Sequence, residues 1–181
     1  MQETGIVRRI DELGRIVVPK EMRKTMRIRE GDPLEIYLEK DCLVFKKYSP
    51  INSISANAQS VADGIDALIG KACLITDSDK IIYATKSRFK HLIGKSISVE
   101  IEKVFQNRKS RIESRSNGGE IIPLYDADDF QYENQIIVPI ISNGDCLGSV
   151  IIFDDDKFNR LSSNDLKFVE LGATFLSKQL I

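Results

Sequence analysis

Residues 4–47 crowd four short β-type runs and one helical stub into a stretch too small to close a core around itself. TGIVRRI (4–10) and RIVV (15–18) are rich in β-branched residues and read as strands. DELGR links them, with Gly14 free to take the positive φ of a tight loop. Pro19 suits the start of a helix, and KEMRKTM continues it for about two turns, too few to be stable alone. The turn REGDP (29–33) leads into LEIYLE, whose alternation puts Leu34, Ile36 and Leu38 on one face, and CLVFKK (42–47) returns from it. The connection after Lys40 is Asp41-Cys42, without the glycine a tight hairpin turn favours. An intertwined homodimer sharing one core is expected from size alone.

Charge is unevenly spread. The 181 residues carry 26 basic and 27 acidic side chains, a net charge of −1. Residues 1–29 hold eight bases (Arg8, Arg9, Arg15, Lys20, Arg23, Lys24, Arg27, Arg29) against four acids (Glu3, Asp11, Glu12, Glu21), a local +4. Residues 30–50 are net −2 and the remaining 131 net −3. A basic segment of this kind is a candidate surface for an anionic partner, or else a solvated face. For each arginine the alternative is a surface ion pair with Asp11, Glu12 or Glu21. On a dimer the cations would appear twice across a two-fold axis, matching the repeat of a DNA duplex. Side chains offered by strands, a loop and a stub suit phosphates and groove edges better than a one-helix base code. Recognition is therefore expected to be largely electrostatic and to favour deformable, A·T-rich DNA.

Several classes of function are disfavoured. No apolar run reaches the ~18 to 20 residues of a membrane span, and charges stand where the apolar core of a signal peptide would lie, so a cytoplasmic location without membrane contact is expected. The three cysteines (Cys42, Cys73, Cys146) lack C-x-x-C spacing and read as reduced thiols, the latter two in strands and inert. His91 is the single histidine and tryptophan is absent, which excludes most histidine-based catalytic and metal sites. The acidic groups Asp126, Asp128, Asp129 and Asp154-Asp155-Asp156 follow strands in consecutive loop positions, where they solvate turns more readily than they converge on a metal. Phosphate-loop, nucleophile-elbow and dinucleotide glycine patterns are missing. No enzymatic activity, metal or cofactor is expected.

Beyond Pro50, which cannot continue a strand ladder, Ile51, Ile54, Ala58, Val61, Ile65 and Leu68 recur at steps of three and four. They predict a helix over 51–69, weakened at Gly64 and stopped by Gly70, that either pairs with other helices or packs on its own domain. ACLIT (72–76) and KIIYA (80–84) form a hairpin around Asp77-Ser78-Asp79, and a helix covers about 98–107. After the polar stretch 108–119 come the strands EIIPL (120–124), QIIVPII (135–141) and CLGSVIIF (146–153), the last two joined through Asn143-Gly144. Ser162 to Asp165 has capping-box spacing and opens a final helix running to the chain end. Its wide apolar arc, with Phe168, Leu171 and Phe175 beside the main stripe, suits contact with both its sheet and another helix. Helices 51–69 and 162–180 from two subunits would make a four-helix bundle, and hence a homotetramer.

The run TGIVRRIDELGRIVVPKEMRKTMRIREGDPLEIYLEKDCLVFKKYSP resembles the swapped-hairpin DNA-binding domain of the AbrB family of bacterial transition-state regulators. The resemblance implies that Arg8, Arg15, Arg23 and Lys24 contact double-stranded DNA, with Arg9 and Lys20 as further candidates. It also implies a regulator that activates and represses sporulation genes, associated with the nucleoid and working in the forespore. The order helix, two strands, helix, three strands, helix is similar to that of a GAF domain. That likeness implies a small-molecule pocket between the sheet and residues 85–130, with Leu74, Phe89 and His91 as candidate lining. The central strands are apolar enough for a filled core instead. The expected fold is α+β: an N-terminal AbrB-like β-barrel dimer (1–50), a connecting helix (51–70) and a GAF-like antiparallel sheet with flanking helices (71–181). Related swapped-hairpin modules also act as antitoxins that neutralise a toxin partner. Those carry a disordered tail, whereas residues 51–181 read as folded.

Overall fold

Pro19, with φ −58, precedes the first helix, α1 (Lys20–Thr25), one position earlier than a proline inside the first turn. Two strands follow, β1 (Leu34–Glu39) and β2 (Cys42–Lys47), paired antiparallel from Leu34↔Lys47 to Glu39↔Cys42. The turn is thus Lys40-Asp41, and Lys40 itself takes the left-handed φ of 52 that a glycine would have supplied. The computed structural model describes residues 5–129 and 131–180, and the chain divides between Tyr48 and Ser49 into two compact units.

The first unit corrects two expectations. Residues 5–10 and 15–18 form no strand within the single chain; Thr4, at the head of the first predicted strand, lies outside the described residues. The loop between them closes with two backbone bonds, Asp11 N–H to Arg15 O at 3.1 Å and Gly14 N–H to Asp11 O at 2.9 Å, but two strands without a covered face are marginal. That cover is missing: Val7 is 84% exposed, Val17 74% and Leu38 84%, and among the unit's described residues only Pro19 is buried.

In the second unit the predicted helix 51–69 is two helices, α2 (Pro50–Ser53) and α3 (Ser55–Ile69), broken at Ile54. Ser53 Oγ donates to the Pro50 carbonyl at 2.6 Å, the local side-chain bond that competes with helix continuation. Ile51, Ala58, Ala62 and Ile65 are buried on their own domain, Leu68 faces solvent, and Gly70, at φ 78, ends α3. There follow β3 (Ala72–Asp77), β4 (Ile81–Ala84), a 3-10 segment (Ser87–Leu92), α4 (Val99–Asn107), β5 (Arg111–Ser114), β6 (Asn134–Ser142), β7 (Asp145–Asp154) and α5 (Ser163–Lys178). The five strands form an antiparallel sheet in the order β4-β3-β7-β6-β5. Alternate residues serve its two faces. Leu74, Ile137, Ile151 and Phe153 join α4 and the loops around it, while Cys73, Ile75, Ile136 and Ile152 join α2, α3 and α5.

Punctuation residues behave as their chemistry dictates. Asn143 and Gly144, at φ 50 and 85, make the two-residue hairpin turn between β6 and β7. Ser162 Oγ accepts from the Asp165 N–H while the Asp165 carboxylate accepts from the Ser162 N–H, the reciprocal cap that opens α5. Ile181, the end of that predicted helix, lies outside the described residues.

EIIPL is not a strand, and one lies instead in the polar stretch before it. Residues 120–124 form a loop that buries Ile122 and Leu124, and in it the Gln135 amide stands in for a partner strand: it donates to Ile122 O at 2.9 Å and accepts from Ile122 N–H at 3.2 Å. Pro123 has no N–H to offer a ladder. β5 takes the edge beside β6, from Arg111↔Ile137 to Ser114↔Asn134, and stops short of Pro139.

Candidate nucleic-acid interface

Helix α1 sorts its side chains by spacing. Lys20, Arg23 and Lys24 stand at i, i+3 and i+4, one face of a helical turn, and all three are exposed. Among the described residues their side chains have no hydrogen-bond or ion-pair partner. Met22 and Met26 instead line an open apolar groove of about 950 Å³, together with Ile16, Val17, Leu34 and Val44. One short helix therefore presents cations outward and thioethers toward an unfilled apolar concavity.

Arg15 sits on the loop before α1, where Asp11 builds the turn. Asp11 Oδ1 accepts from the Leu13 N–H at 3.0 Å and from the Arg15 N–H at 2.8 Å, while Oδ2 accepts from Arg15 Nε at 2.8 Å. Gly14, at φ 75, donates its N–H to Asp11 O at 2.9 Å. The backbone and guanidinium bonds from Arg15 hold the Asp11 carboxyl below its usual range. Of the three acids the sequence offers as ion-pair partners, Asp11 is the one Arg15 uses, yet the arginine side chain stays 70% exposed. Arg8 and Arg9 are exposed on the preceding segment, and Arg8 Nη1 donates to Val7 O at 3.1 Å. Among the described residues no polar contact ties Arg8 or Arg9 to the α1 cations.

The three candidate lining residues of the second unit are not brought together. Leu74 and Phe89 are buried in one packed cluster, in which the Phe153 ring meets Phe89 at 4.7 Å and Tyr132 at 5.0 Å between centroids, both edge to face. His91 is exposed on the 3-10 segment. Cys73 is fully buried and Cys146 partly so; burial pushes both thiols up, Cys146 to about 11. Two of the acidic groups have structural duties. Asp128 accepts from the Leu124 N–H at 2.8 Å and from the Tyr132 hydroxyl at 3.2 Å. Asp154 pairs with buried Lys71, whose ammonium also donates to Asn159 O at 2.6 Å. Burial lowers the Lys71 pKa against the opposing pull of Asp156, Asp165 and Asp155. No sequence motif marks that pair, because Lys71 and Asp154 meet only through the pairing of β3 with β7.

Residues 53–181 match the family described as Stage V sporulation protein T C-terminal, transcription factor, and residues 7–51 that described as Antidote-toxin recognition MazE, bacterial antitoxin. Over 181 residues, 99% of each chain, the sequence is 41% identical to stage V sporulation protein T of Bacillus subtilis (strain 168). It is 37% identical over 93 residues, 51% of this chain and 97% of the other, to the transition state regulatory protein AbrB of the same organism. The fold is similar to the crystal structure of the GAF domain from Acinetobacter phosphoenolpyruvate-protein phosphotransferase. That likeness has a TM-score of 0.55 at 12% identity, over 75% of this chain and 94% of that one.

Proposed function

The chain belongs to the stage V sporulation protein T family of DNA-binding sporulation regulators, and from that premise we propose that its N-terminal face grips duplex DNA as part of an intertwined dimer. Arg8, Arg15, Arg23 and Lys24 are the main contacts, Arg9 and Lys20 lesser ones. The observation that carries this reading is α1, whose exposed cations back onto an apolar groove that one chain leaves unfilled. A second copy in that groove would supply the missing core and double the basic face to about +8.

About four cations per subunit, at phosphates or in the groove between them, displace counterions, or about eight per dimer, so log affinity should fall against log salt with a slope near −7. A titration of an A·T-rich duplex over several salt concentrations measures it. A slope shallower than about −3 contradicts a phosphate-dominated interface.

The C-terminal unit sets the distance between two such dimers. Phe168, Leu171 and Phe175 on α5 and Leu68 on α3 are exposed apolar side chains, which supports helix pairing between copies. Tetramers would bind bivalently, raising affinity through effective concentration rather than new contacts. Light scattering on the full chain should give about four times its 20.4 kDa; a dimer removes the bundle, and a monomer removes both interfaces. The packing of Leu74 and Phe89 favours a filled core over an occupied ligand pocket. No reaction is assigned. The protein acts in the cytoplasm, on the nucleoid, and its sporulation role points to the forespore. An antitoxin role has less support, because residues 53–181 are folded where toxin-wrapping modules carry a disordered tail.

A further inference from the structure

A carboxylate beside a DNA-gripping arginine is a paradox, since it weakens attraction to phosphate at the place where attraction is wanted. The geometry of the 11–15 loop resolves it. Asp11 divides its two oxygens between separate tasks. Oδ1 accepts from the Leu13 and Arg15 N–H groups at 3.0 and 2.8 Å and so shapes the turn, while Oδ2 accepts from Arg15 Nε at 2.8 Å and so aims the side chain. Only one of the five guanidinium donors is engaged. Among the described residues neither terminal nitrogen of Arg15 has a partner, and the side chain is 70% exposed.

A free arginine on a loop samples many rotamers and finds any nearby phosphate. An arginine held at Nε offers its two terminal nitrogens in one direction, as a fork suited to bidentate contact with acceptor edges in a groove. Its net field is reduced by the paired carboxylate, so it gains less from loose phosphate contact. Both effects shift Arg15 from adhesion toward discrimination.

We propose that Asp11 is a positioning residue for DNA recognition: by holding Arg15 at Nε it directs the guanidinium fork at base edges and suppresses sequence-blind phosphate binding. The inference rests on the DNA-binding reading above, with Arg15 in the interface.

The test uses the full-length protein, an A·T-rich and a G·C-rich duplex of equal length, and several salt concentrations. Asp11→Asn keeps a carbonyl oxygen for the Leu13 and Arg15 N–H groups but puts an NH2 where Nε needs an acceptor. The loop is retained and the clamp lost. Expected are an unchanged melting temperature, an A·T over G·C affinity ratio reduced about tenfold, and a salt slope steeper by about 1 to 2 per dimer. In an Arg15→Ala background Asp11→Asn should leave the ratio where Arg15→Ala put it. Asp11→Ala loses loop and clamp together, so its melting temperature should fall as well.

An Asp11→Asn protein with the wild-type ratio and slope overturns the proposal. So does an effect of equal size in the Arg15→Ala background, which would mark Asp11 as acting through the fold. A wild-type ratio near one removes the discrimination Asp11 is said to set. A wild-type protein that binds neither duplex overturns the DNA-binding reading itself, and this inference with it.

Discussion

Replacing Arg8, Arg15 and Arg23 together by alanine should leave a folded protein that no longer retains duplex DNA at moderate salt. All three side chains are exposed, so their loss costs the fold little. The binding loss is large because each change counts twice in the proposed dimer: about six of about eight DNA-facing cations, whether at phosphates or in a groove, disappear, and the slope against log salt should fall from about −7 to about −2. Affinity for an A·T-rich duplex should drop by about 10³-fold or more, toward the non-specific level. A control separates this face from overall charge. Lys103, Lys109 and Lys167 are exposed bases of the second unit, and replacing them by alanine removes the same charge. If the control matches the triple variant, long-range charge rather than the α1 face carries the affinity, and the proposed interface is wrong.

The second large effect concerns stability. Gly148 lies in β7 opposite Asp77 of β3 and Ile140 of β6. A methyl group there would fall on the Thr76 carbonyl oxygen and stand 2.9 Å from its carbon, against backbone that cannot yield without opening the β3–β7 ladder. The next residue compounds the damage, since Ser149 N–H donates to Thr76 Oγ1 at 3.1 Å and the two buried hydroxyls meet at 2.9 Å. Gly148→Ala should therefore cost about 3 to 4 kcal/mol, the upper range for overpacking combined with a broken buried bond. For a unit of this size that lowers the melting temperature by about 10 °C in a calorimetric scan. Gly64→Ala is the matched control. It sits in α3 with nothing within 4 Å of the added carbon, and should stabilise by about 0.5 to 1 kcal/mol. A Gly148→Ala protein melting within a degree of wild type would show that β7 can move away from β3.

Elements announced by their end chemistry were legible in the residues. Asn143-Gly144 turns β6 into β7, and Ser98 accepts from Ile101 N–H at 3.2 Å at the start of α4, where the sequence places a helix. Ser162 and Asp165 open α5 in the same way. Elements whose stability comes from distant partners were not. β5 holds a single apolar side chain, Ile112, and is a strand only because β6 lies beside it. Residues 120–124 have the composition of a strand but are bonded by side chains, Gln135 at Ile122, Ser98 at Pro123 and Asp128 at Leu124, which no local pattern reveals. The runs 5–10 and 15–18 carry strand composition without a ladder in one chain.

The interface divides likewise. The Lys20, Arg23 and Lys24 spacing and the exposure of the cations follow from the sequence alone, because a two-turn helix has little freedom. The Asp11–Arg15 pair was one of three acids open to that arginine, and the choice depends on loop geometry set by Gly14. His91, plausible near Phe89 in sequence, is separated from it because residues two apart in a 3-10 segment, with three residues per turn, point to different sides.

For a polypeptide that leaves the ribosome amino terminus first, the uncovered faces around Val17 and Leu38 matter in time as well as in space. In the dimer proposed above, the unit made before the sheet domain is the one a single chain cannot finish, and it stays sticky until a sister molecule arrives. Since paired molecules form in proportion to the square of their number while both are scarce, slow early synthesis yields almost no competent regulator. A modest rise in synthesis then delivers it abruptly.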